Sequence, residues 1–65
     1  MAIKELRKVA GLSQKDLAKA TNVNRVSISR YETGERVPTL NVAAKIAQAL
    51  DCKIDDLVSG NKPTK

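Results

Sequence analysis

Residues 13–34 read SQKDLAKATNVNRVSISRYETG and hold the start signals of two short helices. Ser13 precedes Asp16 by three positions, which is an N-cap pattern close to a capping box. This pattern predicts a helix over residues 14–21. Asn22 follows the helix, and asparagine tolerates the left-handed conformation that a tight helix exit requires. The first half of the stretch therefore predicts a short helix with a defined beginning and a sharp end.

A second helix begins after only three intervening residues. Asn24 is its N-cap candidate, the helix is predicted over residues 25–33, and Gly34 is expected to end it. Because the connection consists only of residues 22–24, the second helix has to cross the first at a steep angle. The two helices are therefore predicted to form a helix-turn-helix.

The second of these helices has two unlike sides. On a helical wheel at about 100° per residue, Ile28 and Tyr31 fall on one side and are expected to pack on the domain. The other side presents a different set of residues: Arg25, Val26, Ser29 and Arg30. Arginine matches the O6 and N7 acceptors of guanine, an exposed aliphatic group can contact the thymine methyl, and a helix fits the major groove of DNA. A plain solvated face is the alternative, but the tight turn and the basic surroundings favour base reading.

The flanking sequence predicts further helices and gives no strand signal. Apolar residues at positions i, i+3 and i+7, which are Ile3, Leu6 and Ala10, predict a first helix over residues 2–10. Thr39 is expected to cap a fourth helix. That helix has an apolar stripe made of Leu40, Ala43, Ile46, Ala47 and Leu50.

The end of the chain predicts one more short helix and a tail. Residues 54–59 form the fifth helix, with Leu57 and Val58 expected to face inward. Residues 60–65 are polar and have nothing to pack. We therefore expect an all-α fold of five compact helices in one domain, residues 1–59, followed by a polar C-terminal tail.

Composition limits the classes of protein that fit this chain. With 65 residues there is room for one domain, and 12 basic against 7 acidic residues give a net charge of +5. Residues 1–36 carry eight basic and four acidic side chains, so a polyanionic partner should meet the N-terminal half. No apolar run has the length of a signal peptide core or a membrane span, so we expect a cytoplasmic protein without a membrane partner.

Residues that could carry catalysis or bind a metal are scarce. Cys52 is the single cysteine and there is no histidine, so no metal site is expected, and a buried, inert thiol is favoured over a redox sensor. Asp55 and Asp56 fall in the first turn of a helix, where acidic residues favour the helix dipole. No nucleophile–base pair or cofactor-binding pattern occurs, so we expect no enzyme activity and no cofactor.

Taken together, these motifs resemble the lambda-repressor/Cro-like helix-turn-helix family, also called the xenobiotic-response-element type. The resemblance runs from about Ile3 to Val58. It rests on Leu6-Arg7, Gly11-Leu12-Ser13-Gln14, Leu17-Ala18, the run VNRVSISRYE over residues 23–32, Gly34, Pro38-Thr39-Leu40, Lys45-Ile46-Ala47, Ala49-Leu50 and Ile54-Asp55-Asp56-Leu57.

The resemblance implies double-stranded DNA as the partner and gives roles to particular residues. By that resemblance Arg25, Val26, Ser29 and Arg30 match the base-reading positions of the family. The positions that match contacts to the DNA backbone are Gln14, Asn24, Ser27, Gly34 and Arg36. For Gln14 a simple first-turn residue is the alternative, and for Arg36 an ordinary loop charge. The family also implies an ion pair between Arg7 and Glu32.

We therefore interpret the chain as a sequence-specific transcriptional regulator, a repressor that binds a palindromic operator as a homodimer. Helices four and five are the expected dimer surface, through Val42, Ile54, Leu57 and Val58. An antitoxin or restriction-controller protein that also binds an unidentified protein partner remains an alternative. So does a helical protein-interaction module that does not bind DNA, which Arg25 and Arg30 disfavour. Family resemblance implies a bacterial or phage-encoded protein.

Overall fold

The computed structural model describes residues 1–59, and within that range it is helical without strands. The helices are α1 (Ile3–Val9), α2 (Gln14–Thr21), α3 (Arg25–Thr33), α4 (Leu40–Ala49) and α5 (Ile54–Ser59). This confirms the predicted all-α fold with five helices, and α1 is shorter than predicted by one residue at each end. The predicted tail, residues 60–65, lies outside the described residues.

Short polar side chains fix where the central helices begin. The Ser13 hydroxyl accepts a hydrogen bond from the Asp16 backbone N–H at 3.0 Å, and the Asp16 carboxylate accepts one from the Ser13 N–H at 3.1 Å. This reciprocal pair is a full capping box, as the spacing predicts. Asn24 and Thr39 cap α3 and α4 through single side-chain bonds. Each cap provides an acceptor for a backbone N–H that has no partner within the helix, and it adds about 1 kcal/mol to the free energy of unfolding.

The core takes one fully buried large side chain from every helix: Ile3, Leu17, Ile28, Ile46 and Leu57. Burying each of these contributes roughly 1.5–3 kcal/mol relative to leaving it exposed. The Ala2 N–H donates to the Leu57 carbonyl at 2.8 Å, so the start of the chain is tied to α5. Because all five helices share this small core, the position of α3 depends on the packing of the whole domain.

Some predicted core positions are wrong. Leu40 is 72% exposed although it shares the helical stripe with the buried Ala43 and Ala47, and it is the first residue of α4. Val58 is 63% exposed, because it is turned about 100° along α5 from the buried Leu57. Ala10 is also exposed, since α1 ends just before it.

Candidate nucleic-acid interface

The turn between α2 and α3 is built on a left-handed asparagine. Asn22 has φ 57° and ψ 35°, which matches the expectation for this residue. The next amide, that of Val23, donates to the Ala18 carbonyl at 3.1 Å and closes the C-terminus of α2. The Asn24 side-chain oxygen then accepts from the Val26 N–H at 2.7 Å and opens α3. Three residues therefore end one helix and begin the next, which fixes the angle between them.

The structure places α3 with its two sides as the wheel predicts. Ile28 is fully buried and Tyr31 is 9% exposed, so this side anchors the helix to the core. On the opposite side Arg25, Val26 and Arg30 are exposed, whereas Ser29 is only half-buried. The exposed side combines two guanidinium groups with an aliphatic group, which are the chemical groups needed to contact base edges.

The predicted backbone-contacting residues occupy different environments. Arg36 is exposed in the loop after α3, and its N–H donates to the Arg30 carbonyl at 3.3 Å. Gly34 caps α3 with φ 84°, a backbone conformation that residues other than glycine rarely adopt. Asn24 is exposed at the start of α3, while Ser27 is half-buried on its flank. These four residues lie at both ends and along one flank of α3.

Gln14, the fifth predicted backbone contact, is already engaged within the protein. Its Nε2 donates to the Glu32 carboxylate Oε1 at 2.9 Å, and its side chain is half-buried. The amide keeps one N–H and its oxygen for an external ligand. The sequence did not indicate this bond, because Gln14 and Glu32 meet only after α2 and α3 are packed together.

Glu32 also holds α1 through the predicted ion pair, which the structure confirms. Arg7 Nε lies 2.6 Å from Glu32 Oε2, and Arg7 Nη2 lies 3.3 Å from Oε1. The Glu32 side chain is 3% exposed, so this carboxylate lies beneath the surface rather than on it. The remaining Arg7 nitrogen, Nη1, donates to the Leu12 carbonyl at 2.8 Å. One network therefore joins α1, the loop before α2, the first residue of α2 and the end of α3.

The charge state of this network follows from its contacts. Burial of Glu32 opposes ionisation and on its own would raise the pKa of the carboxyl group. Hydrogen bonds from Arg7 and Gln14, together with the positive charge of Arg7, outweigh burial and lower the pKa below its ordinary value. Glu32 is therefore a carboxylate at neutral pH, and it does not leave an uncompensated negative charge beside the exposed side of α3.

Two open grooves flank α2. One has a volume of about 470 Å³ and is lined by Lys15, Ala18, Lys19, Asn22, Val23, Asn24 and Arg25. The other has about 330 Å³ and is lined by Ala20, Thr21, Asn22, Lys45, Gln48 and Ala49. The first groove adjoins the start of α3 and carries three cationic side chains. Sequence reasoning missed it, although Lys15 and Lys19 are spaced four residues apart on one side of α2.

Other kinds of site receive no support from the described residues. Within residues 1–59, no group of three His, Cys, Asp or Glu side chains is placed to hold a metal ion. In the same range, no helix is both long and apolar enough to span a bilayer. Cys52 is half-buried, and burial, with smaller effects from Asp56 and Asp51, raises the pKa of its thiol. The thiol is therefore neutral and weakly reactive at neutral pH.

Comparisons with known proteins agree with this geometry. A helix-turn-helix family model matches residues 3–57. The chain is 38% identical over 55 residues to the uncharacterised HTH-type transcriptional regulator YgzD of Bacillus subtilis, covering 85% of this chain and 83% of that protein. It is 40% identical over 55 residues to the uncharacterised HTH-type transcriptional regulator MJ0272 of Methanocaldococcus jannaschii, and the match covers 85% of this chain and 83% of that protein.

A further relative is named for its regulatory action. The cryptic phage CTXphi transcriptional repressor RstR of Vibrio cholerae is 38% identical over 51 residues, which cover 78% of this chain and 46% of that protein. The family model alone spans most of the chain and all four residues on the exposed side of α3. The chain therefore belongs to the Cro/C1-type helix-turn-helix family and is a DNA-binding transcriptional regulator rather than an enzyme.

Proposed function

We propose that the protein is a repressor that binds a palindromic operator as a homodimer and acts by occupying the site. The observation that carries this proposal is the construction of α3. Ile28 and Tyr31 hold the helix against the core, while Arg25, Val26 and Arg30 remain exposed on the other side. A helix with this division can enter the major groove without losing its contact to the domain.

The contacts to DNA divide into two kinds. Arg25, Val26, Ser29 and Arg30 read base edges, and the half-buried Ser29 supplies the shortest reach of the four. The backbone contacts come from Gln14, Asn24, Ser27, Gly34 and Arg36, which surround α3 at its ends and flanks. Contacts to the DNA backbone fix the orientation of the domain on the duplex but do not distinguish one base sequence from another.

The dimer follows from the small number of base contacts that one domain offers. Four candidate residues reach only a few base pairs, so two copies on a two-fold symmetric site are needed for useful specificity. The surface that we propose for pairing is smaller than the sequence indicated. Leu57 is fully buried in the domain's own core and is not available, whereas Val58 is exposed and Val42 and Ile54 are half-buried.

Repression by occupancy requires no ligand-binding domain, and RstR, a relative of this chain, is named a transcriptional repressor. The amount of protein and the dimer equilibrium would then set the extent of repression. Because the target is DNA, we place the protein in the cytoplasm of its host. The relatives YgzD of Bacillus subtilis and the phage repressor RstR support a bacterial or phage source.

Selection of bound duplexes from a random DNA pool tests the proposal. The expected product is a palindrome whose half-sites are one helical turn apart, about 10–10.5 base pairs between centres, or a multiple of that spacing. A promoter that overlaps the selected site should then be silenced when the protein is added to a transcription reaction. Selection of a single non-repeated site would contradict the dimer, and increased transcription would contradict repression.

A further inference from the structure

The two grooves beside α2 differ in charge although they flank the same helix. Lys15, Lys19 and Arg25 line the groove on the side of α3, whereas Lys45 is the one cationic residue that lines the groove on the side of α4. We refer to them as the α3-side groove and the α4-side groove. Ala18 and Val23 also line the α3-side groove, and both are half-buried apolar residues with short side chains.

The positive charge of the α3-side groove is only partly offset within the described part of the domain. Among the described residues, no carboxylate lies within 4 Å of the ammonium group of Lys15 or Lys19. The nearest acid in sequence is Asp16, whose carboxylate bonds to the Ser13 N–H. The charges of Lys19 and Lys15 also help to lower the pKa of Asp16, so this single carboxylate offsets only part of the charge of the three cationic side chains. Holding two free ammonium groups and a guanidinium group around one groove is unfavourable unless water or an anion screens them.

The position of this groove relative to α3 indicates which anion it meets. Arg25 belongs both to the groove and to the exposed side of α3, so it stands at the border between them. When a helix lies in the major groove, the sugar–phosphate strands form the walls on its two flanks. A duplex whose base edges face Arg25 and Val26 therefore brings one phosphate strand to the α2 flank of α3, where Lys15 and Lys19 lie.

We infer that the α3-side groove is a contact surface for the DNA backbone, with Lys15 and Lys19 binding phosphates of the strand beside α2. This inference rests on the proposed function and extends it by two residues that no sequence motif indicated. Lysine is a flexible point charge without the fixed fork of arginine, so it suits phosphate attraction rather than base recognition. An acidic protein segment is the rival occupant, because its apolar side chains could cover Ala18 and Val23.

The DNA backbone is favoured because the groove continues the predicted DNA surface. Arg25 and Asn24 lie in the groove and also among the residues assigned to DNA contact. Two further phosphate contacts in each domain, which are four in the dimer, should add roughly 3.6 to the magnitude of the slope of log K against log salt concentration, at about 0.9 per contact. They should not alter the preference among base pairs.

The test compares two double variants that each remove two lysines. The Lys15→Ala/Lys19→Ala variant removes both lysines from the α3-side groove. The Lys45→Ala/Lys53→Ala variant removes the same amount of positive charge from exposed positions on α4 and before α5. Both are measured against the wild type for binding to the selected site and to its single-base variants at several salt concentrations. Circular dichroism and thermal unfolding check that each variant is folded.

We expect the Lys15→Ala/Lys19→Ala variant to lower the salt slope on the palindrome by about 3.6 units, which is about 1.8 per domain, while its base preferences stay unchanged. The Lys45→Ala/Lys53→Ala variant should change the slope by less than one unit. Equal slopes for the two variants would overturn the inference. Ethylation of single phosphates gives a second measurement, since interference at phosphates beside the half-site should disappear only in the first variant.

The outcomes separate the inference from the function on which it rests. A wild type that selects no DNA would defeat the proposed function before any variant is compared. A wild type that binds a selected site with equal slopes in both variants would defeat only the assignment of the groove. Competition by polyglutamate that depends on Lys15 and Lys19, without an effect of these residues on the DNA salt slope, would assign the groove to an acidic protein segment instead.

Discussion

Arg25, Arg30 and Arg36 are all exposed, but they belong to different parts of the backbone. Arg25 and Arg30 lie on the rigid α3, whereas Arg36 lies in the loop that follows it. A helix in the major groove brings its side chains to base edges. We therefore expect Arg25→Ala and Arg30→Ala each to reduce the free energy of DNA binding by about 1–3 kcal/mol and to relax the preference at one base pair per half-site. Arg36→Ala should weaken binding to all sequences alike and lower the salt slope by about one unit per bound domain.

Binding to the selected site and to each single-base variant checks this division of roles. Arg25→Lys and Arg30→Lys are useful partners, because they keep the charge but lose the two-pronged contact to guanine. Both should retain the wild-type salt slope and still lose base preference. Uniform losses for Arg25→Ala and Arg30→Ala across every base variant would show that α3 does not read the sequence.

We propose for Val26 a contact to a thymine methyl group, which can be tested by changing the DNA. Its side chain is 54% exposed beside two arginines, so burying it against a thymine methyl would remove apolar surface from water. One buried methyl group is worth about 0.8 kcal/mol, roughly a fourfold change in Kd. Replacing one thymine of the half-site by uracil should produce this loss in the wild type but not in Val26→Ala. Equal losses in both proteins would exclude the contact.

Between the helices, the network of Arg7, Gln14 and Glu32 sets how α3 is held. Arg7 and Glu32 are largely hidden from solvent, so removal of either leaves the other charge without its partner. We expect Arg7→Ala and Glu32→Ala each to lower the free energy of unfolding by about 3 kcal/mol, near the lower end for a buried pair. The double variant should lose clearly less than the sum of the two. Denaturant unfolding measures all three, and additive losses would argue against coupling; the exposed Glu35→Ala serves as a control.

The same network predicts how stability depends on pH. The pKa of Glu32 is lowered in the folded protein, from an ordinary value of 4.5, because the bonds from Arg7 and Gln14 outweigh the effect of burial. The unfolded chain therefore takes up the proton first as pH falls. The stabilisation is complete above about pH 4.5 and is lost as pH falls further through the folded pKa. In Glu32→Gln the unfolding midpoint should change less over this range.

Asp16 makes a matched comparison for that titration. Its pKa is also lowered, chiefly by the hydrogen bonds to Ser13, but its carboxyl group is fully exposed. Asp16→Asn should therefore remove a smaller part of the pH dependence than Glu32→Gln does. An acid transition that both substitutions leave unchanged would mean that neither group controls acid stability.

Which of these features could be predicted from the sequence depends on whether they are local. The caps at Ser13 and Asn24, the left-handed Asn22 and the two sides of α3 depend on residues a few positions apart, so periodicity and capping rules were sufficient. The Arg7–Glu32 pair spans 25 positions and came from the family resemblance rather than from spacing.

Features that depend on how the helices are packed were not predictable in the same way. The bond from Gln14 to Glu32 and the α3-side groove form only when α2 lies against α3. Leu40 shows the opposite error, because its apolar character fits the helical stripe but the residue is 72% exposed at the start of α4. Burial of a residue near a helix end depends on what lies beside it, which a wheel does not show.

At the scale of the whole molecule, the proposed homodimer requires a surface on which two copies meet. Exposed apolar side chains occur on several helices, among them Val9 at 64% and Val58 at 63% exposure. These two valines are matched in type and exposure, but only Val58 lies on the proposed dimer surface. We expect Val58→Asp to shift the protein towards monomer at micromolar concentration, because pairing would bury a charge in an apolar contact. Val9→Asp should leave the equilibrium unchanged.

Sedimentation of the two variants and the wild type, with and without the selected palindrome, decides the matter. If α5 joins the copies, Val58→Asp should bind a single half-site as the wild type does and lose affinity only for the full palindrome. The loss reflects the second domain, which no longer benefits from the first being bound. Equal losses on half-site and palindrome would place the damage in the domain itself. A dimer that survives Val58→Asp would move the interface away from α5, and a wild type that stays monomeric even on the palindrome would refute dimerisation altogether.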